Sequence, residues 1–380
     1  MAESSRRTML IVSFSPLAGD ARVLKQIRHF AASYDVTTCG YGPTPLEGVE
    51  HLAIPDDARH ELDGRLVTTR VYPLVHRAVP AVRAARRVLA GRRFDVAIAN
   101  DLETVPVAFD VAEPAHVLAD LHEYSPRLHE DNPAWVRRIA PYYRWLARHY
   151  AARAGAATTV GDGLAEAYRD ELGVECRVVT NAAPYAALSP GPVVEPVRLV
   201  HSGASLRKRN LMLLLEAVDA STAPVSLDLF LTPNDPGYLT ELRERAAHSS
   251  REITVHDAVP YDELLATLNR YDVGVHVLPP VNFNNEWALP NKVFDYVQAR
   301  VALIVGPSPE MAAVVRERGI GLVTEDFSAD ALARVLDALT PARVAALKAA
   351  SDASAHDLAS DAQVAVWDEV IAGLARVGTR

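Results

Sequence analysis

The chain has 380 residues, of which 49% are apolar, so it is long enough for two domains with sizeable cores. Its 39 basic and 48 acidic residues give a net charge of −9, which argues against a general nucleic-acid-binding protein. Two cysteines, Cys39 and Cys176, argue against a disulfide framework and fit a reducing cytoplasm. No N-terminal apolar signal and no run of about 18 apolar residues occurs, so we expect a cytoplasmic protein without a membrane span.

A strand, a loop with one glycine and a helix open the chain. Residues 9–12 are apolar and predict a buried strand, and the apolar spacing over residues 21–32 predicts a helix with Asp20 as its N-cap. This order begins a doubly wound α/β domain, in which loops at the carboxyl ends of parallel strands line the ligand crevice. The loop holds Gly19 alone, so it lacks the three spaced glycines of a dinucleotide fingerprint. Its small and hydroxyl residues, Ser15 among them, let a substrate approach the backbone.

An arginine-rich stretch follows, with short strands expected near residues 49–54 and 66–72. Residues 65–93 contain eight arginines and no acidic residue. Such a stretch has two interpretations. It forms a basic amphipathic helix that lies on an anionic membrane or binds an anionic substrate, or it forms a solvated helix face in an arginine-rich protein. The chain has 35 Arg and 4 Lys, and this composition favours the solvated face over peripheral membrane contact.

Two later strands are predicted to end in polar residues. Residues 94–101 form an apolar run that ends at Asp101, and residues 117–124 form another that ends in His122 and Glu123. Parallel strands place their carboxyl ends on one side of a sheet, so we expect these side chains to face the same crevice. An imidazole can donate a hydrogen bond to a hydroxyl group of a ligand, and a carboxylate can accept one. The three residues are therefore our catalytic candidates.

A linker over residues 184–196, rich in Pro, Gly and Ser, marks the domain boundary. The α/β alternation then restarts with a strand at residues 197–202 and Gly203, where the backbone can be approached closely. Arg207, Lys208 and Arg209 precede the next predicted helix and favour a bound diphosphate at its N-terminus. A basic first turn opposes the helix dipole, so a bound anion accounts for it better than capping does.

A second anion site is expected at residues 289–297. Pro290 and Asn291 bring Lys292 to the opening of a short helix, where the first N–H groups are unpaired and the helix dipole is positive. Asp295 follows about one turn later and can accept hydrogen bonds from hydroxyl groups. A phosphate beside hydroxyl groups indicates a nucleotide sugar.

The segment "ALPNKVFDYVQARVALIVG" resembles the donor-binding segment of GT-B glycosyltransferases, and it is especially similar to bacterial family 4-like members. The segments "SPLAGDARVLKQ", "DLHEY" and "HSGASLRKRNLMLLLEAV" also resemble this family, in the same order. The resemblance covers roughly residues 9–340. It implies an α/β fold of two Rossmann-like doubly wound lobes that face a deep cleft. The predicted domains are an acceptor-binding domain, a nucleotide-sugar-binding domain and a C-terminal helical segment whose last helix returns to the first lobe: residues 1–185, 186–350 and 351–380.

The resemblance also assigns roles to single residues. It places His122 between donor sugar and acceptor, and it assigns the loop residues Ser15, Gly19 and Asp20 to the acceptor. The donor-binding candidates are Gly203, Arg207, Lys208, Arg209, Val259, Glu286, Asn291, Lys292 and Asp295.

Three features depart from the family pattern. Ala204 stands where an arginine is usual, and Ala299-Arg300 replaces an Ala-Gly turn. Retaining members carry two glutamates with seven residues between them; with Asp295 in the second place, the first falls on Trp287, one residue after Glu286. Either a one-residue shift lets Glu286 contact the sugar or that contact is missing. The donor sugar and the stereochemical outcome therefore stay open.

The resemblance implies a glycosyltransferase that moves a sugar from a nucleoside-diphosphate sugar to a hydroxyl acceptor, with retention as the expected outcome. The acceptor is a small molecule, a glycan or a lipid-linked compound. No Asp-x-Asp metal motif occurs, so we expect a metal-independent enzyme with no cofactor besides the nucleotide sugar. Two alternatives are a GT-B epimerase or phosphorylase, which shares the phosphate site, and a non-catalytic partner of a true enzyme.

Overall fold

A computed structural model describes residues 6–376, which fall into two compact units. The first unit runs to Thr180 and also includes residues 282–284 and the residues from Val364 onward. The second unit contains residues 181–281 and 285–363. The predicted first domain ended five residues later, at residue 185, and its first five residues lie outside the described part. Residues 377–380 of the predicted C-terminal segment also lie outside it.

The first unit is built on a seven-stranded sheet in which all neighbouring strands are parallel. The strand order is β3-β2-β1-β4-β5-β6-β7, so the direction of winding reverses between β1 and β4. Ligands of doubly wound sheets bind outside the carboxyl ends of the strands at this reversal. The strands are β1 (Thr8–Pro16), β2 (Asp35–Tyr41), β3 (Glu50–Ala53), β4 (Val96–Asn100), β5 (Val117–Leu121), β6 (Ala156–Thr159) and β7 (Cys176–Val178).

Helices flank this sheet and close its apolar core. Asp20 caps the first of them, since its side chain accepts hydrogen bonds from the backbone N–H groups of Arg22 and Val23, as predicted. The helices in the sequence of this unit are α1 (Ala21–Phe30), α2 (Gly64–Thr69), α3 (Tyr72–Ala78), α4 (Pro80–Val88), α5 (Val105–Phe109), α6 (Pro133–Arg138), α7 (Ala140–His149) and α8 (Asp162–Leu172).

The strand predicted at residues 66–72 is wrong, because this stretch forms α2 and the start of α3. The alternation of β-branched residues favoured a strand. The Asp63 side chain instead accepts from the N–H groups of Arg65 and Leu66 and starts a helix. The hydroxyl of Thr68 then donates to the carbonyl of Gly64, which keeps the threonine compatible with the helical turn.

The core of the first unit is completed by residues from the far end of the chain. Met9, Ile11 and Ile98 from β1 and β4 pack in one buried cluster with Trp367 and Ile371. These last two belong to the final helix, of which residues 364–376 group with the first unit. The first unit therefore joins a stretch that ends at Thr180 with one that begins at Val364.

The second unit has a six-stranded parallel sheet in the order β10-β9-β8-β11-β12-β13, and its winding reverses between β8 and β11. Its strands are β8 (Val197–Ala204), β9 (Val225–Thr232), β10 (Ile253–Asp257), β11 (Val273–His276), β12 (Ala302–Val305) and β13 (Gly321–Val323). The helices that follow in sequence are α9 (Met212–Ala220), α10 (Pro236–Ala247), α11 (Tyr261–Leu268), α12 (Phe283–Glu286), α13 (Asn291–Gln298), α14 (Pro309–Arg318), α15 (Ala329–Asp337), α16 (Pro341–Ser354) and α17 (Ser360–Arg376).

Arg300 occupies the turn after α13, where the family pattern has glycine. Its φ of 58° lies in the left-handed region that side chains other than glycine rarely adopt. The side chain is buried, and its guanidinium donates to the carbonyls of Gln298 and Ala186 at 2.7 Å each and to Asp352 at 2.7 Å. These hydrogen bonds offset the backbone strain, so the glycine is replaced by a residue that ties the turn to its surroundings.

No helix within residues 6–376 has the length and apolarity required to cross a membrane.

Candidate functional site

A cavity of about 270 Å³ opens at the carboxyl ends of β1, β4 and β5 in the first unit. This is where the winding of the first sheet reverses. The lining is polar, with three carboxylates, two imidazoles and several hydroxyl groups. Its residues are Ser13, Phe14, Ser15, His60, Asn100, Asp101, Glu103, Thr104, His122, Glu123, Ser125 and Leu128. The three predicted catalytic residues therefore lie on one cavity wall.

Asp101 follows β4 in a left-handed conformation, with a φ of 66°. Aspartate tolerates this region better than most residues, and a strained backbone of this kind is common at functional sites. The turn is held by the backbone N–H of Asp101, which donates to the Asp120 carbonyl at 2.9 Å. The hydroxyl of Thr104 donates to the carbonyls of Asn100 and Asp101. The turn aims the Asp101 carboxylate at β5, where it accepts from the backbone N–H of His122 at 3.1 Å.

The His122 ring lies between two carboxylates. Its Nε2 is 3.2 Å from Asn100 Oδ1 and 3.3 Å from Asp120 Oδ2, and its Nδ1 is 3.6 Å from Asp101 Oδ2. The Asn100 amide nitrogen donates to the carbonyl of Val12 and to Gln26, so the oxygen of the amide faces the ring and Nε2 must donate. Burial opposes the charged ring, but Asp101 and Asp120 outweigh it and raise the pKa of His122.

Asp120 is a fully buried carboxylate on β5 with four charged or polar partners. Arg22 of α1 binds it through two nitrogens, at 2.7 and 2.6 Å, and Gln26 donates to it at 2.6 Å. Thr158 of β6 donates at 2.5 Å. Burial alone would raise the pKa of Asp120, but the Arg22 guanidinium holds it well below its usual range. Asp120 is thus an ionised group that orients the His122 ring through its Nε2 atom.

Glu103 and Glu123 complete the acidic wall of the cavity. Loss of water contact, and then the charge of Asp101, raise the pKa of Glu123. Burial likewise raises the pKa of Glu103, although His60, 3.6 Å away, opposes the shift. Carboxyl groups with raised pKa values at a cavity wall are candidates for accepting a proton from a substrate hydroxyl.

The predicted acceptor-binding residues divide between the cavity and the first helix. Ser15 lines the cavity, and its hydroxyl donates to Asp20 Oδ2 at 2.7 Å. Asp20 is occupied by this bond and by capping α1. Gly19 is exposed between them. Of the three, the structure gives only Ser15 a place on the cavity wall.

The second unit holds a cluster of cations at the carboxyl end of β8. A Cβ atom added at Gly203 would lie 2.6 Å from Lys292 Cε, 2.7 Å from Lys292 Nζ and 3.3 Å from Arg209 Nη1. Gly203 also has a φ of 144°, so the backbone conformation favours glycine, and a side chain here would displace the ends of both cations. Within the part of the chain that the structure describes, neither cation forms a hydrogen bond or ion pair. Burial and the charge of Arg209 lower the pKa of Lys292 to about 8, against the opposing effect of Asp295.

Two histidines, His201 in β8 and His276 at the end of β11, lie near enough to these cations for their charges to act on the rings. The rings of His201 and His276 stack with centroids 5.6 Å apart, and both side chains are buried. His201 Nδ1 donates to the carbonyl of Val275 at 2.8 Å, which leaves a lone pair on its Nε2. Burial and the charge of Lys292 lower the pKa of His201 to about 3, and the same causes lower that of His276. Both rings are therefore neutral, and the positive charge of the cluster belongs to Lys292 and Arg209.

The other predicted donor-binding residues have different positions. Asp295 is buried on α13, near enough to Lys292 to affect its pKa, and Asn291 is exposed at the start of the same helix. Arg207 pairs with Glu241 and lies over the Tyr238 ring, so its guanidinium is engaged on the surface. The remaining candidates are Lys208, exposed beside Arg209, Val259, half-buried before α11, and Glu286, exposed at the end of α12.

Sequence reasoning missed the residues that support these clusters. Arg22 and Asp120 are 98 positions apart, and nothing in their local patterns indicates that they pair. Asp120 does lie in the quoted "DLHEY" segment, two residues before His122, so its position was a usable signal. His201 opens the quoted "HSGAS" segment, whereas His60, Glu103 and His276 carried no signal in the sequence.

No cluster of three or more His, Cys, Asp or Glu side chains within residues 6–376 has an arrangement that could hold a metal ion.

Comparison with known proteins identifies the fold. No family model and no curated protein sequence matches this chain. Among solved structures, sucrose-phosphate synthase from Thermosynechococcus elongatus is similar over 97% of this chain and 99% of its own, with a TM-score of 0.73 and 13% identity. The Anabaena protein HepE, solved in complex with UDP-glucose, covers 96% of this chain and 99% of its own, with a TM-score of 0.70 and 11% identity.

An α,α-trehalose-phosphate synthase (UDP-forming) from Burkholderia vietnamiensis is similar over 96% of this chain and 99% of its own, with a TM-score of 0.66 and 13% identity. The chain has the GT-B fold. This confirms the predicted architecture of two doubly wound α/β domains. Identities this low show the fold alone, so the activity has to be argued from the two clusters.

Proposed function

We propose that this chain is a glycosyltransferase that moves a sugar from a nucleoside-diphosphate sugar to a hydroxyl group of an acceptor. One observation carries the proposal: Lys292 and Arg209 converge on Gly203 at the winding reversal of the second sheet. Two partly buried cations without an ion pair among the described residues are costly unless an anion joins them. A diphosphate supplies that charge, and Gly203 lets it approach the backbone.

Similar structures support a nucleotide-sugar donor. HepE was solved with UDP-glucose, and the Burkholderia protein is named as a UDP-forming synthase. We propose the same class of donor for this chain and leave its base and sugar open. Asp295, one turn into α13 from Lys292, is proposed to accept hydrogen bonds from donor hydroxyl groups. We place the donor on the second domain.

We place the acceptor in the cavity of the first domain. The lining offers carboxylates and hydroxyl groups as hydrogen-bond acceptors, and it includes no lysine or arginine. This lining suits a hydroxyl-rich acceptor without phosphate groups, whether a small molecule, a glycan or a lipid-linked sugar. His122 is proposed to donate from Nδ1 toward substrate oxygens, because its Nε2 is already bound by Asn100 and Asp120.

Bond cleavage places negative charge on the departing diphosphate, and Lys292 and Arg209 would stabilise it. With retention, which we propose, the departing phosphate takes the proton of the acceptor hydroxyl and the protein supplies no strong base. With inversion, Asp101 or Glu123 would be that base. Metal independence is part of the proposal, since the two cations would neutralise the diphosphate charge, and no cofactor is invoked besides the donor. The resemblance to family 4-like members and a cytoplasmic location are likewise proposed from the sequence.

Calorimetric titration with UDP, GDP, TDP and ADP tests the donor site. We expect one nucleotide to bind, and Lys292→Ala to weaken it by roughly 100-fold, because a buried charge contact to phosphate is lost. Arg334→Ala is the matched control, since Arg334 pairs with Glu325 on the surface of the same unit. A folded wild-type protein that binds none of the four would contradict the donor site and favour a non-catalytic partner role.

Slow hydrolysis of the bound nucleotide sugar tests the reaction without knowledge of the acceptor. Proton NMR of the first sugar molecules released shows whether the anomeric configuration is kept, which retention requires. The same assay with EDTA tests metal independence: an unchanged rate is expected, and a rate restored only by added Mg²⁺ would overturn that part of the proposal.

A further inference from the structure

The exposed face of the three helices α2, α3 and α4 combines positive charge with exposed apolar side chains. We call it the α2–α4 face. Val71 and Leu74 are 47% and 54% exposed, which places them among the most exposed large apolar residues described. Five exposed arginines surround them along the chain: Arg65, Arg70, Arg77, Arg83 and Arg87.

Helical spacing places the apolar and basic residues of this face together. Leu74 lies three residues before Arg77, so these two side chains share one side of α3, and Arg70 is exposed at the end of α2, two residues before α3 begins. Val75 and His76 lie on the opposite side and are buried. On α4, Arg83 and Arg87 are four residues apart and exposed, while Ala81, Val82, Ala84 and Ala85 are buried. The basic residues therefore point outward while the apolar faces of both helices pack inward.

The charge of the face is not neutralised within the described residues. None of the five arginines forms an ion pair, and residues 65–93 contain no acidic residue. Asp63, which caps α2, lies near enough to Arg65 for the two charges to interact, and Asp110 pairs with Arg86. In a chain with a net charge of −9, this is a local excess of positive charge.

We propose that the α2–α4 face docks on the surface of an anionic phospholipid bilayer. Guanidinium groups bind lipid phosphates, and Leu74 and Val71 supply the apolar contact that enters the boundary between headgroups and acyl chains. Stable attachment to a bilayer surface generally needs two such signals, charge and apolar insertion, and this face has both. The high arginine content of the chain accounts for exposed arginines on a solvated helix face. It does not account for the exposed apolar side chains of Val71 and Leu74 among them.

Sedimentation with lipid vesicles tests the proposal, and it does not depend on the sugar-transfer reaction. The full chain is mixed with vesicles of phosphatidylcholine alone, or of two parts phosphatidylcholine and one part phosphatidylglycerol, at low and high ionic strength. We expect binding to the anionic vesicles only, and weaker binding at high ionic strength. Each arginine near an anionic surface increases partitioning onto the vesicles about fivefold. The double variant Arg70→Gln with Arg77→Gln should therefore bind the anionic vesicles about 25-fold more weakly than the wild type.

Leu74→Asp tests the apolar contact, and this variant should bind the anionic vesicles at least about tenfold more weakly than the wild type. The matched controls are Arg316→Gln with Arg343→Gln, two exposed arginines of the second unit, and Val194→Asp, which changes a residue 48% exposed there. All variants should keep the wild-type melting temperature and nucleotide affinity. The proposal is overturned by equal binding to both kinds of vesicle, by no binding to either, or by equal losses in the controls.

Discussion

His122 is held by carboxylates on both sides of its ring, and this fixes what it can do. Nε2 donates to Asn100 and Asp120, while Nδ1 faces Asp101 at 3.6 Å. Arg22, which neutralises Asp120, opposes protonation of the ring, yet the pKa of His122 is raised. The Asp101 carboxylate opposite Nδ1 favours a proton on that nitrogen as well, and a ring nitrogen that carries a proton has no lone pair with which to accept another. We therefore infer that His122 binds substrate as a donor and is not the catalytic base.

The first prediction concerns the charge of His122. Its pKa is raised above the ordinary value of about 6.5, so the ring should keep its charge to a higher pH than an ordinary histidine does. NMR titration of the ring nitrogens measures this directly. Asp101→Asn should lower the pKa of His122, because the second-largest influence on it after burial is removed. An unchanged pKa in that variant would contradict the arrangement.

Lys292 shows the energetic cost of holding two cations close together. Its pKa is lowered from 10.5 to about 8, so the unfolded chain binds the proton more tightly than the folded one between these values. Folding stability from this group therefore rises as the pH increases from about 8 toward 10.5, and at neutral pH the charged side chain is destabilising. The second prediction is that Lys292→Met raises the free energy of unfolding at pH 7 by about 1–3 kcal/mol and weakens nucleotide binding by roughly 100-fold.

Lys348 provides the contrast for this prediction. Lys348 is fully buried and, like Lys292, has a lowered pKa, but its ammonium lies 3.1 Å from Asp272 and donates to the carbonyl of Tyr271. Lys348→Met breaks a buried ion pair and should lower the free energy of unfolding by about 3 kcal/mol. Urea unfolding at pH 7 measures both variants. Equal destabilisation by the two substitutions would show that Lys292 has a structural partner.

The candidate residues could be predicted only where a strand end fixed them. Asp101 and His122 share a cavity because β4 and β5 are parallel neighbours, which the sequence pattern implied. The local sequence does not show that Arg207 and Arg209 have different surroundings. Both precede α9, and the pairing of Arg207 with Glu241 depends on α10, which follows much later in the chain.

At the end of β8, the position of Gly203 sets how closely Lys292 and Arg209 can approach the backbone. The third prediction is that Gly203→Ala lowers nucleotide affinity by at least tenfold and the free energy of unfolding by about 1–3 kcal/mol. The added methyl group would meet Lys292, and the φ of 144° disfavours any side chain. Calorimetry and urea unfolding give the two values.

Gly19→Ala is the control for this substitution. No atom lies within 4 Å of a Cβ added at Gly19. We expect this variant to keep wild-type stability and nucleotide affinity. A comparable loss in both variants would mean that the effect at Gly203 is not specific to the cation cluster.

Most strands and helices could be predicted because their apolar spacing is regular, as in β1 and α1. The stretch at residues 66–72 could not, since alternating apolar and β-branched residues favour a strand and the deciding contact is a single side-chain cap at Asp63. The turn at Arg300 illustrates the same limit. Its left-handed backbone depends on partners at Ala186 and Asp352, which local sequence does not reveal.

Across the whole molecule, helix α17 links the last residues to the core built by the first. Trp367 is fully buried there, and Arg22 lies over its ring at 5.1 Å. The fourth prediction is that Trp367→Ala destabilises the first unit by about 3–5 kcal/mol. Because Arg22 binds Asp120, the variant should also disturb His122. Hydrogen exchange should show lost protection in peptides from residues 6–180 and unchanged protection in residues 197–360.

Leu336→Ala provides the reciprocal control. Leu336 is fully buried in the core of the second unit. Its truncation should loosen peptides from residues 197–360 and leave those from residues 6–180 protected. If either substitution loosened both units to the same extent, the two cores would not be independent cooperative units.

The order of synthesis gives the position of Trp367 a further meaning. A ribosome adds residues from the N-terminus, and domains generally fold in that order. Here the first unit waits for Val364, Trp367 and Ile371, whereas the second unit ends at residue 363. The domain that is translated first therefore cannot close its core until every residue of the other has been added. If translation stops before Trp367, the released chain has a first domain whose core is open to water.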